Sequence, residues 1–319
     1  MGEFAIGQPL PREEDPRLLR GDGNYLDDIN FLNQAYGFVL RSPHAHAKII
    51  SIDTQAAKNS PGVVRVLTGD DWKAENYGTM PCEDTAMANR SDGTPMFHPY
   101  RGALITKRAR FVGDYIAFVI AETRDQARNA AELIEVEYEV LPAINSIEKA
   151  LEGGITSVWP ANPDNIAFTL EKGDEPAVEE AFAKADKIIT REFRISRVTA
   201  VTLEPRGCIG SYDKRTARYT LYTGLQNPHP VRQQLTQGVF HIPETQMHVV
   251  PGDVGGSFGM RGGTYPELAL VLWGARIVDR PIKWICDRSE GFMSDDHGRD
   301  NLSKVSVALS KQGLFLGIK

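Results

Sequence analysis

The sequence predicts a mixed α/β (α+β) protein of two domains. Its 319 residues, 41% of them hydrophobic and 24% charged, are enough to build two hydrophobic cores. Residues 111–140 have the pattern of a buried strand, a helix and a second strand in succession. Glycine and proline accumulate between residues 148 and 163, which is typical of a connection between domains. We therefore expect an extended arm over residues 1–16, an α/β domain over 17–145, a linker over 146–165 and a second domain over 166–319.

The first domain should be built from short strands around one buried strand. Branched and aromatic residues predict strands at 35–40, 48–52 and 63–67. The region 75–102 is polar with no sustained period and predicts a long surface loop. The nearly continuous apolar run 111–121 predicts a strand that is covered on both faces.

A helix should follow that buried strand. Thr123 can cap it, and small or apolar residues recur at helical spacing up to Ile134. Residues 136–140 then alternate like a strand, so the three elements are expected to form one β-α-β piece.

The second domain contains segments with helical spacing of apolar residues and segments with the alternation of strands. Helices are predicted at 175–185, 231–240 and 265–277, and strands at 187–195, 219–223 and 247–250. A hairpin is predicted from strands at 305–309 and 314–318 around the turn 311–313.

Charge and targeting signals exclude several classes of protein. The 42 acidic and 36 basic residues are interspersed and give a net charge of −6, so there is no basic field for a nucleic-acid backbone. The first residues lack the pattern of a signal peptide, and no stretch reaches the length of a membrane span. We therefore expect a cytoplasmic protein without a nucleic-acid partner or a membrane span.

The cysteines predict that any redox cluster lies on another chain. Cys82, Cys208 and Cys286 are an odd number and form no CxxC pair, which argues against a disulfide framework and against an iron–sulfur or zinc site in this chain. Cys208 and Cys286 are expected in the core.

The segment 251–263 is the most informative for function, with six glycines in thirteen residues between a predicted strand and a predicted helix. Glycine permits left-handed dihedrals and close approach, so successive backbone N–H groups can point at one anion. The segment matches neither common phosphate-binding glycine motif. On spacing alone, a tight structural turn is therefore the slightly better interpretation.

Two segments together resemble a known family. Residues 255–259 (Gly-Gly-Ser-Phe-Gly) resemble the cofactor loop of molybdenum hydroxylase large subunits, the family of xanthine dehydrogenase, aldehyde oxidase and aerobic carbon monoxide dehydrogenase. Residues 223–229 (Thr-Gly-Leu-Gln-Asn-Pro-His) resemble that family's Gln-Asn segment. Further matches occur in order at 17–29, 41–47, 111–114, 130–138, 203–207 and 287–290. Variants at Ser257, Met260 and 265–267 are most similar to the carbon-monoxide-dehydrogenase-like branch.

The resemblance implies a fold and a site. The fold would be an amino-terminal α/β hammerhead domain followed by the first part of a molybdenum-cofactor-binding α+β domain. The catalytic role would fall to Gln226, whose neutral amide approaches an apical ligand of molybdenum. The cofactor-binding residues would be Gly255, Gly256, Ser257, Phe258 and Gly259. The implied cofactor is molybdenum-molybdopterin cytosine dinucleotide, bound together with a carboxy-terminal half that is not in this sequence.

The resemblance also implies partners. These are an FAD-binding medium subunit, a [2Fe-2S] small subunit and the carboxy-terminal half of the large subunit, assembled as a dimer of heterotrimers. The chain would be part of an enzyme that oxidises a small substrate with water as oxygen source and passes electrons to the [2Fe-2S] and FAD subunits. A non-catalytic, truncated cofactor-binding or assembly module of the same fold is the alternative.

The sequence departs from the family in two ways. Gly262 stands where xanthine-oxidising members carry a glutamate, which disfavours xanthine and leaves carbon monoxide, an aldehyde or an N-heteroaromatic as substrate. The family's large subunit is more than twice as long, and its later part holds the general base. We therefore expect the base outside this chain, and the chain alone to be inactive.

Other polar groups have weaker patterns. His44 and His46 would share one strand face and could bind a metal, but a turn before a strand is the simpler interpretation. Glu204 and Arg206 could pair or orient the cofactor loop, although Arg206 is better interpreted as a structural brace. Residues 295–297 (Asp-Asp-His) could bind a metal, but a solvated turn is preferred.

Overall fold

The computed structural model describes residues 7, 9–82, 89–90, 92–152 and 157–319. In this part of the chain the strands are β1 (Ala35–Arg41), β2 (Ala47–Asp53), β3 (Val63–Thr68), β4 (Arg108–Ala109), β5 (Tyr115–Ala121), β6 (Glu135–Val140), β7 (Lys187–Ile195), β8 (Gly207–Asp213), β9 (Arg218–Thr223), β10 (Met247–Val250), β11 (Ile282–Ile285), β12 (Asn301–Leu309) and β13 (Phe315–Ile318). The α-helices are α1 (Asp15–Leu19), α2 (Gln55–Lys58), α3 (Gly69–Ala74), α4 (Arg124–Ala131), α5 (Ile147–Leu151), α6 (Glu175–Ala183), α7 (Pro228–Gln233), α8 (Pro266–Val278) and α9 (Arg288–Ser294). A π-helical segment (Gln234–Phe240) follows α7, and short 3-10 turns lie at Leu26–Asp28, Glu244–Gln246 and Met260–Gly262.

A seven-stranded mixed sheet joins both halves of the chain. Its strand order is β10-β9-β8-β11-β1-β5-β3. The junction is the parallel pair β1 and β11, in which Ala35 lies opposite Ile282. Strands from both sides of the predicted linker 146–165 therefore share one ladder of hydrogen bonds, and the division into domains stays a prediction.

The expected β-α-β piece is divided between two sheets. All seven residues of β5 are buried, and β5 is antiparallel to both β1 and β3. The Thr123 side chain accepts from the amide of Gln126 and caps α4, as predicted. β6 instead lies in a separate sheet of order β4-β2-β6. The reason is the pattern of β6, whose alternating charged and apolar residues offer only one half-buried face, whereas β5 needs cover on both.

Most other predicted elements are confirmed, with small shifts at their ends. The predicted hairpin is β12 and β13, which pair antiparallel and, with β7, form a third sheet of order β13-β12-β7. The predicted helix 231–240 is divided into α7 and the π-helical segment. The predicted arm is described at residues 7 and 9–16, where α1 already begins at Asp15; residues 1–6 and 8 lie outside the described residues. So do 83–88 and 91 of the predicted loop and 153–156 of the predicted linker.

Strands β8 and β11 were missed. β8 begins Gly-Cys-Ile-Gly, with little of the branched content that marks a strand. The glycine at 210 is needed for packing, because a Cβ there would lie 2.6 Å from the backbone carbon of Val271 in α8. Close approach of the helix, rather than strand propensity, therefore explains this part of the sequence.

Helix α8 lies at the centre of the core. Ten of its thirteen residues are buried, including Trp273, whose ring packs edge-on against Trp72 at 5.2 Å. Within the described residues, no helix combines the length and apolar character that crossing a bilayer requires.

A buried carboxylate marks the start of α8. Glu267 is fully buried and accepts from Arg41 at 2.6 Å and from Arg206 at 3.1 Å. The Tyr115 hydroxyl donates to both of its oxygens at 3.2 Å. Burial alone would raise the pKa of Glu267, but the two guanidinium groups outweigh it and hold the pKa at about 2.

We expect Glu267→Gln to lower the free energy of unfolding by about 3 to 5 kcal/mol, because two buried guanidinium groups lose their charge partner. The pKa of Glu267 in the folded chain lies below its ordinary value of 4.5, so its contribution is complete above pH 4.5 and is lost as the pH falls toward 2. Urea unfolding between pH 7 and pH 3 should therefore show a shallower pH dependence for the variant. Glu132→Gln, which removes the exposed ion pair between Glu132 and Arg128, serves as control and should unfold like the parent.

Candidate functional site

The glycine-rich segment 251–263 and Gln226 meet at one edge of the large sheet. The segment follows β10 and leads to α8, and Gln226 lies after β9, the parallel neighbour of β10. Because the strands are parallel, their carboxyl ends lie at the same edge. The Ser257 hydroxyl donates to the Gln226 side-chain oxygen at 2.5 Å. The backbone N–H of Gln226 donates to the Arg261 carbonyl at 3.1 Å. The structure therefore brings Gln226 into contact with the glycine-rich segment.

The backbone of this segment is suited to an anion. Gly256, Phe258 and Gly259 have φ of 107°, 53° and 93°. The value at Phe258 is costly for a residue with a Cβ. The N–H groups of residues 256–259 donate to no acceptor in the described part of the chain. Four successive free donors of this kind form a site of positive potential.

The Phe258 ring extends beyond this backbone and is 84% exposed. An aromatic ring held in a strained conformation and left uncovered is typical of a surface that packs against another molecule. The position of a Cβ at Gly259 has no atom within 4 Å, so the space beside the ring is open.

Glu204 and Arg261 hold the segment from beneath. One Glu204 oxygen accepts from the Gly255 amide and from Arg261, each at 2.8 Å. Arg261 also donates to the carbonyl of Pro205 at 3.1 Å, and its side chain is 2% exposed. Its buried Nε has no acceptor among the described residues. The buried pair of Glu204 and Arg261 therefore holds Gly255 in place.

The possible pair between Glu204 and Arg206 is not formed. Arg206 turns inward to Glu267 and Asp295, the latter at 2.6 Å, because the buried guanidinium needs both carboxylates. Its interpretation as a brace agrees with these contacts. Glu204 instead forms an ion pair with Arg261 of the glycine-rich segment.

The amino-terminal region also holds this segment, which the sequence alone did not reveal. Arg17 donates to both oxygens of Asp253 at 2.6 and 2.8 Å, and the Asn24 amide adds a bond of 2.8 Å. The hydrogen bond from Arg17, followed by that from Asn24, lowers the pKa of Asp253 to about 2. Opposite charges at 17 and 253 were the only signal in the sequence, and they are 236 residues apart.

The weaker metal candidates are engaged elsewhere. The His46 ring lies 2.8 Å from the Pro142 carbonyl and 2.9 Å from Arg108, and the His44 ring packs against Tyr138. Among the described residues no group of three or more possible ligands converges on a metal site. Asp295 forms an ion pair with Arg206.

The two core cysteines agree with their prediction. Cys208 is 0% and Cys286 is 2% exposed.

These residues fit one wall of a site for a planar, anionic cofactor. The nearby carboxylates Asp253 and Glu204 are paired with Arg17 and Arg261, so the negative charge of each is balanced by an arginine. The concave space beneath the segment, lined by Gly224, Arg261 and others, is only about 20 Å³, room for about one water. A cofactor would therefore lie on the segment rather than in a closed pocket of the described residues.

We expect Gly255→Ala to lower the free energy of unfolding by about 1 to 3 kcal/mol, because its Cβ would lie 2.3 Å from the Glu204 Cβ. Gly252→Ala is the matched control, since its Cβ would make only an ordinary contact of 3.6 Å with the Asn24 carbonyl. Hydrogen exchange should be faster at the amide of residue 255, which donates to Glu204, in the first variant alone. Equal protection in both variants would show that Glu204 does not fix the segment.

Comparison with known proteins identifies the domains. A model of the molybdopterin cofactor-binding domain matches residues 158–319. A model of the aldehyde oxidase and xanthine dehydrogenase a/b hammerhead domain matches residues 20–142. The expected order of a hammerhead domain and the start of a molybdenum-cofactor-binding domain is confirmed.

Relatives and solved structures agree with this assignment. The chain is 32% identical to the nicotine 6-hydroxylase large subunit of Paenarthrobacter nicotinovorans, over 99% of this chain and 37% of that protein. It is also 32% identical to the carbon monoxide dehydrogenase large chain of Afipia carboxidovorans, over 99% of this chain and 39% of that protein. The chain thus spans less than two fifths of the length of either relative. Because both identities are 32%, sequence identity does not show whether the chain is nearer to the nicotine hydroxylase or to the carbon monoxide dehydrogenase.

Two solved structures show the same fold. Carbon monoxide dehydrogenase from Oligotropha carboxidovorans superposes with a TM-score of 0.86 at 31% identity, over 98% of this chain and 39% of that one. Quinoline 2-oxidoreductase from Pseudomonas putida 86 gives 0.83 at 34% identity, over 98% and 38%. The chain therefore belongs to the molybdenum hydroxylase family of aldehyde oxidases, xanthine dehydrogenases and carbon monoxide dehydrogenases, and it carries that family's hammerhead and molybdopterin cofactor-binding domains.

Proposed function

We propose that this chain is the cofactor-anchoring part of a molybdenum hydroxylase that oxidises a small substrate, with water as the source of oxygen. The observation that carries the proposal is the hydrogen bond between Ser257 and Gln226, which sets a neutral amide beside four free backbone N–H groups. When bound, the molybdenum cofactor would supply the two-electron oxidation chemistry. This chain would bind and orient that group.

Each predicted site residue has a role that its contacts support. Ser257 fixes the Gln226 oxygen, so the amide nitrogen is left to donate to a metal ligand. Phe258 offers an exposed ring to the pterin, and the open space at Gly259 allows close approach of the cofactor to the backbone. Gly255 and Gly256 let the segment pass closely over Glu204 and Thr202.

The general base is expected outside this chain. Glu204 and Asp253, the carboxylates in contact with the glycine-rich segment or at its start, are paired with Arg261 and Arg17. The hydrogen bond from Arg17 lowers the pKa of Asp253 to about 2, so Asp253 is a poor proton acceptor at neutral pH. One Glu204 oxygen is occupied by the Gly255 amide and Arg261. The chain alone would therefore be inactive until the rest of the large subunit adds its groups.

The substrate proposed is carbon monoxide, an aldehyde or an N-heteroaromatic molecule. The site of a Cβ at Gly262 lies 3.7 Å from the Asn227 amide nitrogen and 3.9 Å from the Gln226 oxygen, so glycine leaves this side of the amide uncrowded. Relatives named for nicotine, quinoline and carbon monoxide fit such a choice.

Electrons would pass to a [2Fe-2S] small subunit and an FAD-binding medium subunit in a cytoplasmic dimer of heterotrimers, and the cofactor would be the cytosine dinucleotide form. Relatives include a subunit of the 6-hydroxypseudooxynicotine dehydrogenase complex. One face of the sheet β13-β12-β7 leaves apolar side chains exposed, which the carboxy-terminal half or another subunit would cover. They include Phe193, Ile195 and Ile318, which the strand register places on the same face.

The alternative is a non-catalytic module that holds the cofactor or docks a partner. Such a module would use the same N–H groups of residues 256–259, since they can bind an anion without supplying a base. Supplying the missing half of the subunit decides between the two, because only the enzyme gains turnover.

We expect Gln226→Ala and Phe258→Ala to lower turnover of the complete complex at least tenfold while the melting temperature stays within about 2 °C of the parent, since Phe258 is exposed and Gln226 contributes one surface hydrogen bond. Phe258→Ala should also lower the molybdenum and pterin content of the purified protein. Metal analysis and calorimetry on the same samples check both effects.

Gln233→Ala, which removes an exposed amide on α7, is the matched control and should change neither property. Equal losses of stability and turnover in the site variants would assign Gln226 and Phe258 to the scaffold. Full molybdenum content and turnover in both variants would contradict the proposed site.

A further inference from the structure

A cleft with two connected chambers lies beside the first residue of α8. The first chamber, which we call the cationic chamber, has a volume of about 390 Å³ and includes Pro266 in its wall. The second, the apolar chamber, has about 800 Å³. They share the residues Met80, Tyr100, Arg101, Arg110 and Trp159. None of the lining residues belongs to the segment 251–263 or is Gln226, so the cleft is separate from the cofactor site.

The cationic chamber concentrates positive charge in a chain whose net charge is −6. Its cationic lining residues are Lys73, Arg101, Lys107, Arg108 and Arg110. In the described part of the chain, the charged groups of these five side chains form no ion pair with a carboxylate. The acid in this lining is Asp114, whose oxygens accept the backbone N–H groups of Arg110 and Tyr115 at 2.9 and 3.0 Å.

Arg110 stands between the two chambers. Its guanidinium lies 3.5 Å from the centre of the Trp159 ring, and its buried Nε has no acceptor among the described residues. Burial lowers the pKa of Arg110, and Arg108 and Arg101 lower it further against the opposing effect of Asp114. A cation in these surroundings gains from an added anion more than a solvated one does.

The apolar chamber has a different chemistry. Its wall contains Met96, Phe97, Ile144, Val158 and Ala167, and its guanidinium groups are those of the shared Arg101 and Arg110. The Phe97 ring packs edge-on against Trp159 at 6.2 Å. A volume of this size is typical of pockets for small organic molecules.

We propose that the cleft binds an organic anion, with an apolar ring system in the apolar chamber and a carboxylate on Arg101 and Arg110. Arginine suits a carboxylate because its planar donors match the two oxygens. The Trp159 and Phe97 rings offer the ring system an aromatic wall. This site does not depend on the molybdenum chemistry.

Calorimetric titration of the full 319-residue chain with 1-naphthoate and with the neutral 1-naphthamide tests the proposal. We expect naphthoate to bind at least tenfold more tightly than naphthamide, with an affinity that falls as salt is added. Arg110→Gln and Arg101→Gln should each weaken naphthoate binding about tenfold. Lys187→Gln, at the exposed start of β7, is the matched charge-removal control and should leave it unchanged.

Three results would overturn the proposal. The first is equal affinity for naphthoate and naphthamide, and the second is equal naphthoate binding by the arginine variants and the Lys187 control. The third is displacement of naphthoate by a tighter-binding glutamate-rich peptide, which would assign the cleft to an acidic protein segment. Arg101 is exposed, so its variant remains a valid test if Arg110→Gln unfolds.

Discussion

The burial of a single carboxylate, Glu267, unites parts of the chain that are far apart in sequence. Arg41 comes from β1, Tyr115 from β5 and Arg206 from the entrance to β8, and all three reach the first turn of α8. A fully buried carboxylate is tolerated only with such partners, because desolvation costs several kcal/mol per ion. The partners themselves are ordered by Glu290 and Asp295. The cluster therefore fixes the start of α8 against the large sheet.

The geometry of the cofactor site follows from this fixed point. The segment 251–263 ends where α8 begins, so one end of it is anchored by the buried cluster. Glu204 and Arg261 hold its middle, and Arg17 holds Asp253 at its start. These three sets of contacts between oppositely charged side chains hold the segment in place. They leave the N–H groups of residues 256–259 and the Phe258 ring facing outward at a defined position. Such a preorganised surface can orient a large anion without rearranging.

Much of the fold could be predicted from periodicity, because the long elements have patterns that permit one interpretation. β5 needs two covered faces and has an uninterrupted apolar run, and α8 is apolar over most of its length. The pairing of strands could not be predicted in this way. β8 needs a glycine at 210 because α8 packs against it, and β6 separates from β5 because it offers only one apolar face. Both facts depend on neighbours distant in sequence.

The site was predicted by resemblance more than by spacing. The glycines alone indicated a turn or an anion loop, and the role of Gln226 depended on the resemblance to the family. Parallel pairing of β9 with β10 is what brings the two together, and this pairing is not visible in either segment. The support from Glu204 to Arg261 and from Arg17 to Asp253 was missed for the same reason, since charge pairs across 57 and 236 residues leave no local pattern.

We propose that a metal-bearing cofactor lies against Gln226 and Phe258. Anomalous X-ray scattering at the molybdenum absorption edge, from crystals of the complete complex, tests it most directly because it locates the metal without assuming any cofactor geometry. We expect one strong peak per large subunit beside the Gln226 side chain, with the Phe258 ring against the attached pterin. A peak elsewhere in the molecule, with the segment 251–263 open to solvent, would contradict it.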